Sequence, residues 1–192
     1  MFENDYKESL PDRRSIRLKG YDYSSCGGYF VTICCKDGAH RFGSIVNVGA
    51  GRVPARNDLV PARNDSVHTY VNECIDEWCV SYNEFGRIVI DELQQMEQRF
   101  TGIMVPGYMV MPNHVHFMLI ITDDGQNSLS EIVRRFKMGV SNRCMKLCKD
   151  RGVWMEPLWQ RNYYERIIRD KEEYDNTLKY MYENPTRWGA TH

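Results

Sequence analysis

The stretch "YMVMPNHVHFMLII", Tyr108 to Ile121, constrains this chain more than any other. It reads as one buried strand carrying Pro112, Asn113 and two histidines. Residues two apart in a strand point to the same side. Val115, Phe117, Leu119 and Ile121 therefore line one face, while His114 and His116 share the other. The first face is core. The second presents two imidazoles about 7 Å apart by strand rise, close enough to converge on one ion. Neutral imidazole is a common metal ligand. A bare His-x-His is also a structural pair hydrogen-bonded at a sheet face, and the metal reading depends on a third donor from elsewhere.

Around this stretch the chain alternates between strand and helix patterns. "GGYFVTICCKD" (Gly27 to Asp37) is β-rich and reads as the first strand. "RFGSIVNV" (Arg41 to Val48) and "EWCVSYN" (Glu77 to Asn83) read as a hairpin. Its loop holds "VPARND" twice, at Val53 to Asp58 and Val60 to Asp65. Each unit carries a proline and little to bury, so residues 49–70 read as a disordered repeat insertion rather than a coiled coil. "EFGRIVIDELQQMEQRF" has helical spacing, with Ile88, Leu93, Met96 and Phe100 near one face. Ser128 and Glu131 make a capping box. They open a helix whose inner stripe is Leu129, Ile132, Val133, Phe136, Val140 and Leu147. An extended segment, "VWMEPLWQRNYYERIIR", precedes a last helix capped by Asp170 and stopped near Pro185. Without the insertion and small hairpin, the order is β-α-β-α-β-α. This predicts a single α+β domain over 1–192, a ferredoxin-like antiparallel sheet with helices packed on one face.

The last helix can supply the missing donor. Tyr174, Leu178 and Met181 form its apolar stripe, and Tyr180 and Asn184 lie four apart on a flank beside Thr177 and Glu173. Packed over the sheet, that helix can bring a phenol and an amide to the histidine face. A phenol beside a metal-bound phosphate is a plausible nucleophile. Taken alone, Tyr180 is one of twelve tyrosines, and packing is the commoner role.

"VMPNHVHFMLI", "LWQRNYYERIIRDKEEY" and "YMYENPTRWG" together resemble the HUH single-tyrosine transposases, and most closely the REP-associated tyrosine transposases. "FGSIV" and "NEFGRIVIDE" resemble the family's early segments, so the resemblance covers most of Phe30 to Gly189 outside the insertion. It implies an enzyme that cleaves and rejoins hairpin-forming single-stranded DNA. By motif match, His114 and His116 would ligate Mg²⁺ or Mn²⁺, and Tyr180 would form a 5′-phosphotyrosine. Asn184 would complete the ion's shell, where relatives place a glutamine. Relatives differ in whether the tyrosine helix serves its own subunit or a partner's, so a homodimer stays open. A DNA-binding descendant that no longer cuts is the alternative. Replication initiators pair the nucleophile with lysine and relaxases add a third histidine, neither of which is evident beside Tyr180.

The formal net charge of −1 gives no global sign of a nucleic-acid partner. From Leu129 to Asp170, however, ten cations face five anions. Arg134, Arg135, Lys137, Arg143, Arg161, Arg166 and Arg169 are candidate phosphate contacts. Tyr163 is interleaved with them, near Trp154, Trp159 and Tyr164, and is a candidate for base stacking. A solvated helix face beside core aromatics is the bland alternative. The longest apolar run, Phe117 to Ile121, is far short of the roughly 20 residues of a membrane span. The opening "MFENDYKESLPDRR" has no apolar core like that of a secretory signal. A cytoplasmic protein with seven reduced cysteines is therefore expected.

Overall fold

Proline and asparagine divide the opening stretch instead of interrupting it. In the computed structural model, which describes residues 22–23, 25–47, 78–122 and 127–189, β4 (Ile103–Met111) and β5 (His114–Ile121) are separate strands. Met111 pairs with His114 across the two-residue turn Pro112–Asn113. The single strand expected there is thus a hairpin. Proline lacks the N–H a ladder needs, and asparagine suits turns.

β5 pairs on its other side with β1 (Gly27–Cys34), and β1 pairs with β6 (Tyr164–Ile168). The sheet order is β4-β5-β1-β6, antiparallel throughout. β2 (Gly43–Asn47) and β3 (Trp78–Tyr82) form the expected hairpin apart from that sheet. The insertion at 49–70 lies outside the described residues.

The helices follow their caps and stripes. α1 (Glu84–Gln94) starts at Asn83, whose side chain accepts from the Gly86 amide at 3.0 Å. The helical pattern that follows breaks at Gln95 into a short α2 (Met96–Arg99). α3 (Leu129–Asp150) opens on Ser128, which accepts from Glu131 N as the capping box requires. Leu129, Ile132, Val133, Phe136 and Val140 are buried, and Cys144 joins them while Leu147 is half-buried. α4 (Lys171–Gly189) is capped by Asp170, whose carboxylate accepts from Glu173 N at 2.8 Å. It does not stop at Pro185, which sits inside it. The proline's fixed φ suits a helix; its cost is one lost hydrogen bond and a ring clash with the carbonyl four residues earlier. Pro185 is buried and Trp188 packs on His114, which offsets that loss.

Two cores flank the sheet. Val115, Phe117, Leu119 and Ile121 meet α1 and α3 in the larger one. Met109, Met111 and Met118 meet Met181 of α4 in the smaller, with Ile45, Val80, Tyr174 and Leu178 against it. Two long helices thus take the single face expected, while α4 and the β2–β3 hairpin cover the other. The physical reason is alternation: β4 is apolar on both faces, and β5 adds Met118 to its histidine face, so both faces need covers. Of the described cysteines, Cys26, Cys34, Cys35, Cys144 and Cys148 are free thiols. Cys79 is disulfide-bonded and departs from the all-thiol expectation. Burial pushes the Cys35 and Cys144 thiols up to about 12, as suits packing groups.

Two glycines set how closely elements approach. A Cβ on Gly86 would overlap the Phe42 carbonyl oxygen, a backbone atom that cannot step aside. A Cβ on Gly107 would meet only side-chain tips, Leu178 Cδ2 at 2.7 Å and Met181 Cε at 3.3 Å. Gly86→Ala should cost about 1–3 kcal/mol in urea unfolding, and Gly107→Ala clearly less. Equal costs would show that backbone and side-chain obstruction are not distinguished here.

Candidate active site

The site is built on the face of β5 that the smaller core leaves polar. His116 is 5% exposed and His114 is half-buried. Strand rise alone spaces the residues widely, yet the rings lean together. Their centroids are 4.5 Å apart and their Nε2 atoms 3.0 Å apart. Each outer nitrogen has a partner: His114 Nδ1 lies 2.6 Å from Asn113 Oδ1, and His116 Nδ1 lies 2.8 Å from Thr32 Oγ1. Burial lowers the His114 pKa to about 4, and burial together with the neighbouring His114 lowers His116 to about 3. Both imidazoles are therefore neutral, the state that ligates metal.

α4 lies over this pair. The Tyr180 ring is 5.8 Å from that of His116, and the Trp188 ring is 5.6 Å from that of His114. Asn184 falls midway between them on the same helical face, since 180, 184 and 188 are each one turn apart. It is 8% exposed, and its Nδ2 is buried with no hydrogen-bond partner. Phe30 of β1 is wedged alongside. It stacks on His116 at 5.1 Å and meets Tyr180 edge-on at 6.1 Å.

These groups fit a divalent cation. Two donors 3.0 Å apart are spaced like adjacent vertices of an octahedron with bonds of about 2.1 Å. Among the described residues, no group of three His, Cys, Asp or Glu comes together. A third protein donor would have to be of another kind, and the buried Asn184 amide is one. It can offer its oxygen to a cation or its nitrogen to a phosphate oxygen.

The predicted cations divide between the two faces. Arg166 reaches the site: it pairs in register with Phe30, its guanidinium carbon sits 5.9 Å from that ring, and it donates to Thr177 at 2.8 Å. Arg134, Arg135, Lys137 and Arg143 belong to α3, whose buried stripe packs on the opposite face. Arg134 is paired with Glu131, and Arg135 covers Phe100. Lys137 donates to the Gln160 carbonyl at 2.6 Å, and its burial lowers its pKa. Arg143 binds Asp91 at 2.5 Å and the buried Glu92 at 3.0 Å, tying α3 to α1. Arg161 and Arg169 are exposed, Arg169 lying 4.0 Å from Glu173. Tyr163 packs against the larger core. Trp159 does too, donating to the Lys137 carbonyl, whereas Trp154 is 84% exposed.

Sequence reading missed Phe30, Thr32, Arg187 and Trp188. Arg187 places its guanidinium carbon 5.7 Å from the Tyr180 ring centroid while pairing with Glu183. Its place one helical turn beyond Glu183 was readable only if α4 ran through Pro185. No helix among the described residues is long and apolar enough to cross a membrane.

Comparison with known proteins bears on the family and the fold. Residues 62–184 match the family model described as "Transposase IS200 like". The match starts beyond β1 and ends before Arg187, so Phe30 and Thr32 lie outside it. An uncharacterized Haemophilus influenzae protein is 35% identical over 188 residues, covering 95% of this chain and 93% of its own. Another from the same organism, provisionally named a REP-associated tyrosine transposase, is 27% identical over 84 residues. That alignment covers 42% of this chain and 48% of the relative. A solved REP-associated tyrosine transposase bound to a REP hairpin shares the fold. Its TM-score is 0.53 at 15% identity, over 90% of this chain and 74% of that one.

The two neutral histidines predict a pH dependence in chelator-treated protein. Their folded pKa values lie below the ordinary 6.5, so the unfolded chain takes up protons first as pH falls. Their contribution is complete above about pH 6.5 and is lost progressively toward about pH 4 and below. Thermal unfolding midpoints should fall across that window. A His114→Gln/His116→Gln double variant should show a shallower fall; an identical slope would assign the effect to other groups.

Proposed function

This chain belongs to the IS200-like transposase family, and from that premise we propose that it is a metal-dependent enzyme that cleaves and rejoins single-stranded, hairpin-forming DNA through Tyr180. The observation that carries this reading is the packing of Tyr180 against His116, ring centroids 5.8 Å apart, within one chain. In this reading the nucleophile and the two metal donors are drawn from the same chain. Hairpin DNA of the REP type is the substrate class, supported by the name of one relative and the bound hairpin in a structure of the same fold.

His114 and His116 would hold the ion through Nε2, with Asn184 as the third donor or a phosphate ligand. A bound Mg²⁺ or Mn²⁺ would neutralise charge on the scissile phosphate and polarise its oxygens. Tyr180 Oη attacks phosphorus as the bond to the 3′ oxygen breaks, leaving a 5′-phosphotyrosine and a free 3′-OH. The covalent bond conserves the ester energy, so a second 3′-OH can reverse the step without ATP. Phe30 holds the Tyr180 ring edge-on, limiting where the phenol can swing. Arg166 and Arg187 flank the same ring system and supply positive charge for the DNA backbone near the cut.

Tyr180→Phe should bind hairpin DNA with unchanged affinity and form no SDS-stable adduct with a labelled 5′ end. An adduct from that variant would remove Tyr180 from the mechanism. Wild-type protein that binds hairpins but never forms the adduct with Mn²⁺ present would favour a binding protein without cleavage. Affinity for the hairpin should fall steeply between low and moderate salt; a flat titration would count against backbone contacts.

A further inference from the structure

The two histidines are held by unlike partners. Asn113, in the β4–β5 turn, donates Nδ2 to the Gly38 carbonyl at 3.3 Å. The amide atom turned toward His114 Nδ1, 2.6 Å away, is therefore the oxygen, which only accepts. His114 must carry its proton on Nδ1 and present a lone pair at Nε2. Thr32 stands directly across from His116 in the β1–β5 ladder, its hydroxyl 2.8 Å from Nδ1. A hydroxyl both donates and accepts, so it satisfies either neutral tautomer of His116.

The 3.0 Å contact between the two Nε2 atoms needs one proton when no cation lies between them. His114 has none to give there. The proton sits on His116 Nε2, and Thr32 donates to Nδ1. A cation between the rings needs lone pairs at both Nε2 atoms. His116 would then release its Nε2 proton to solvent and take a proton from solvent on Nδ1, remaining neutral, while the Thr32 hydroxyl turned to accept from it.

We propose that Asn113 and Thr32 are positioning residues with opposite tasks: Asn113 locks the tautomer of His114, and Thr32 lets His116 exchange between two. Ion entry would then cost one tautomer exchange and one hydroxyl rotation, and would leave no ring nitrogen of the pair unsatisfied. The locked tautomer is a property of the metal-free protein, whereas the exchange rests on the metal reading above.

Two-bond ¹H–¹⁵N correlation of ¹⁵N-histidine protein after chelator treatment reads the tautomers directly. His114 should appear protonated at Nδ1 and His116 at Nε2. Added Mg²⁺ should move the His116 proton to Nδ1 and leave His114 unchanged. In Asn113→Ala, His114 should lose its single tautomer with little change in unfolding midpoint. Thr32→Val should weaken Mn²⁺ binding by calorimetry about 10-fold or more, and Thr32→Ser should restore it. His114 protonated at Nε2 in the wild-type protein, or wild-type Mn²⁺ affinity in Thr32→Val, would overturn the proposal. Wild-type protein that takes up no divalent ion would sink the metal reading and the exchange, while the metal-free spectrum would still decide the lock.

Discussion

β5 is hydrogen-bonded on both sides, to β4 through the Pro112–Asn113 turn and to β1 across eight paired positions from Gly27–Ile121 to Cys34–His114. A strand held so cannot slip by one residue without exchanging its faces. Slippage here would drive His114 and His116 into the core beside Phe136 and turn Val115 and Phe117 toward α4. The cost of burying two imidazoles without partners, added to that of exposing apolar side chains, keeps the register single-valued. Everything at the site inherits its position from this constraint. Thr32 meets His116 because β1 is in register, and Phe30 stacks on the same ring from two residues earlier.

Against that fixed sheet, α4 supplies the other half of the site. Gly107 lets the helix sit close to β4, and Met181 anchors it among the methionines of β4 and β5. Residues 180, 184 and 188 then lie along one line above the histidines. The helix continues through Pro185, and this matters chemically: a helix ending there would leave Arg187 and Trp188 without a fixed place. Asn184 Nδ2 is buried among these groups with no hydrogen-bond partner from the described residues.

The cations of α3 show what charge counting leaves out. A local excess of positive residues suggested a nucleic-acid face, yet Arg143 is occupied by Asp91 and Glu92, some fifty residues earlier in the chain. Glu92 is 1% exposed and also takes Arg99, so Arg143 completes a half-exposed ion cluster around that buried carboxylate, between α1 and α3. Lys137 is spent on backbone carbonyls. Arg166, by contrast, stands beside Phe30 on the site face, because β6 joins the sheet next to β1.

Local periodicity alone determined a good deal: the two faces of β5, the capped starts of α3 and α4, the β2–β3 hairpin, and Tyr180 with Asn184 on one flank of a helix. Those features depend on neighbours within a few residues, where strand and helix periods act directly. Three matters needed the folded chain. Reading "YMVMPNHVHFMLII" as one strand failed because an apolar run does not reveal a turn whose flanking strands are both buried. The covering of both sheet faces followed from the smaller methionine core, whose members come from β4, β5 and α4. The partners of the histidines, Thr32 and Phe30, lie more than eighty residues upstream and are joined to them only by β1–β5 pairing. Side-chain identity and spacing specify what a residue can do; which residue stands opposite it is decided by long-range register, and register is a property of the whole sheet.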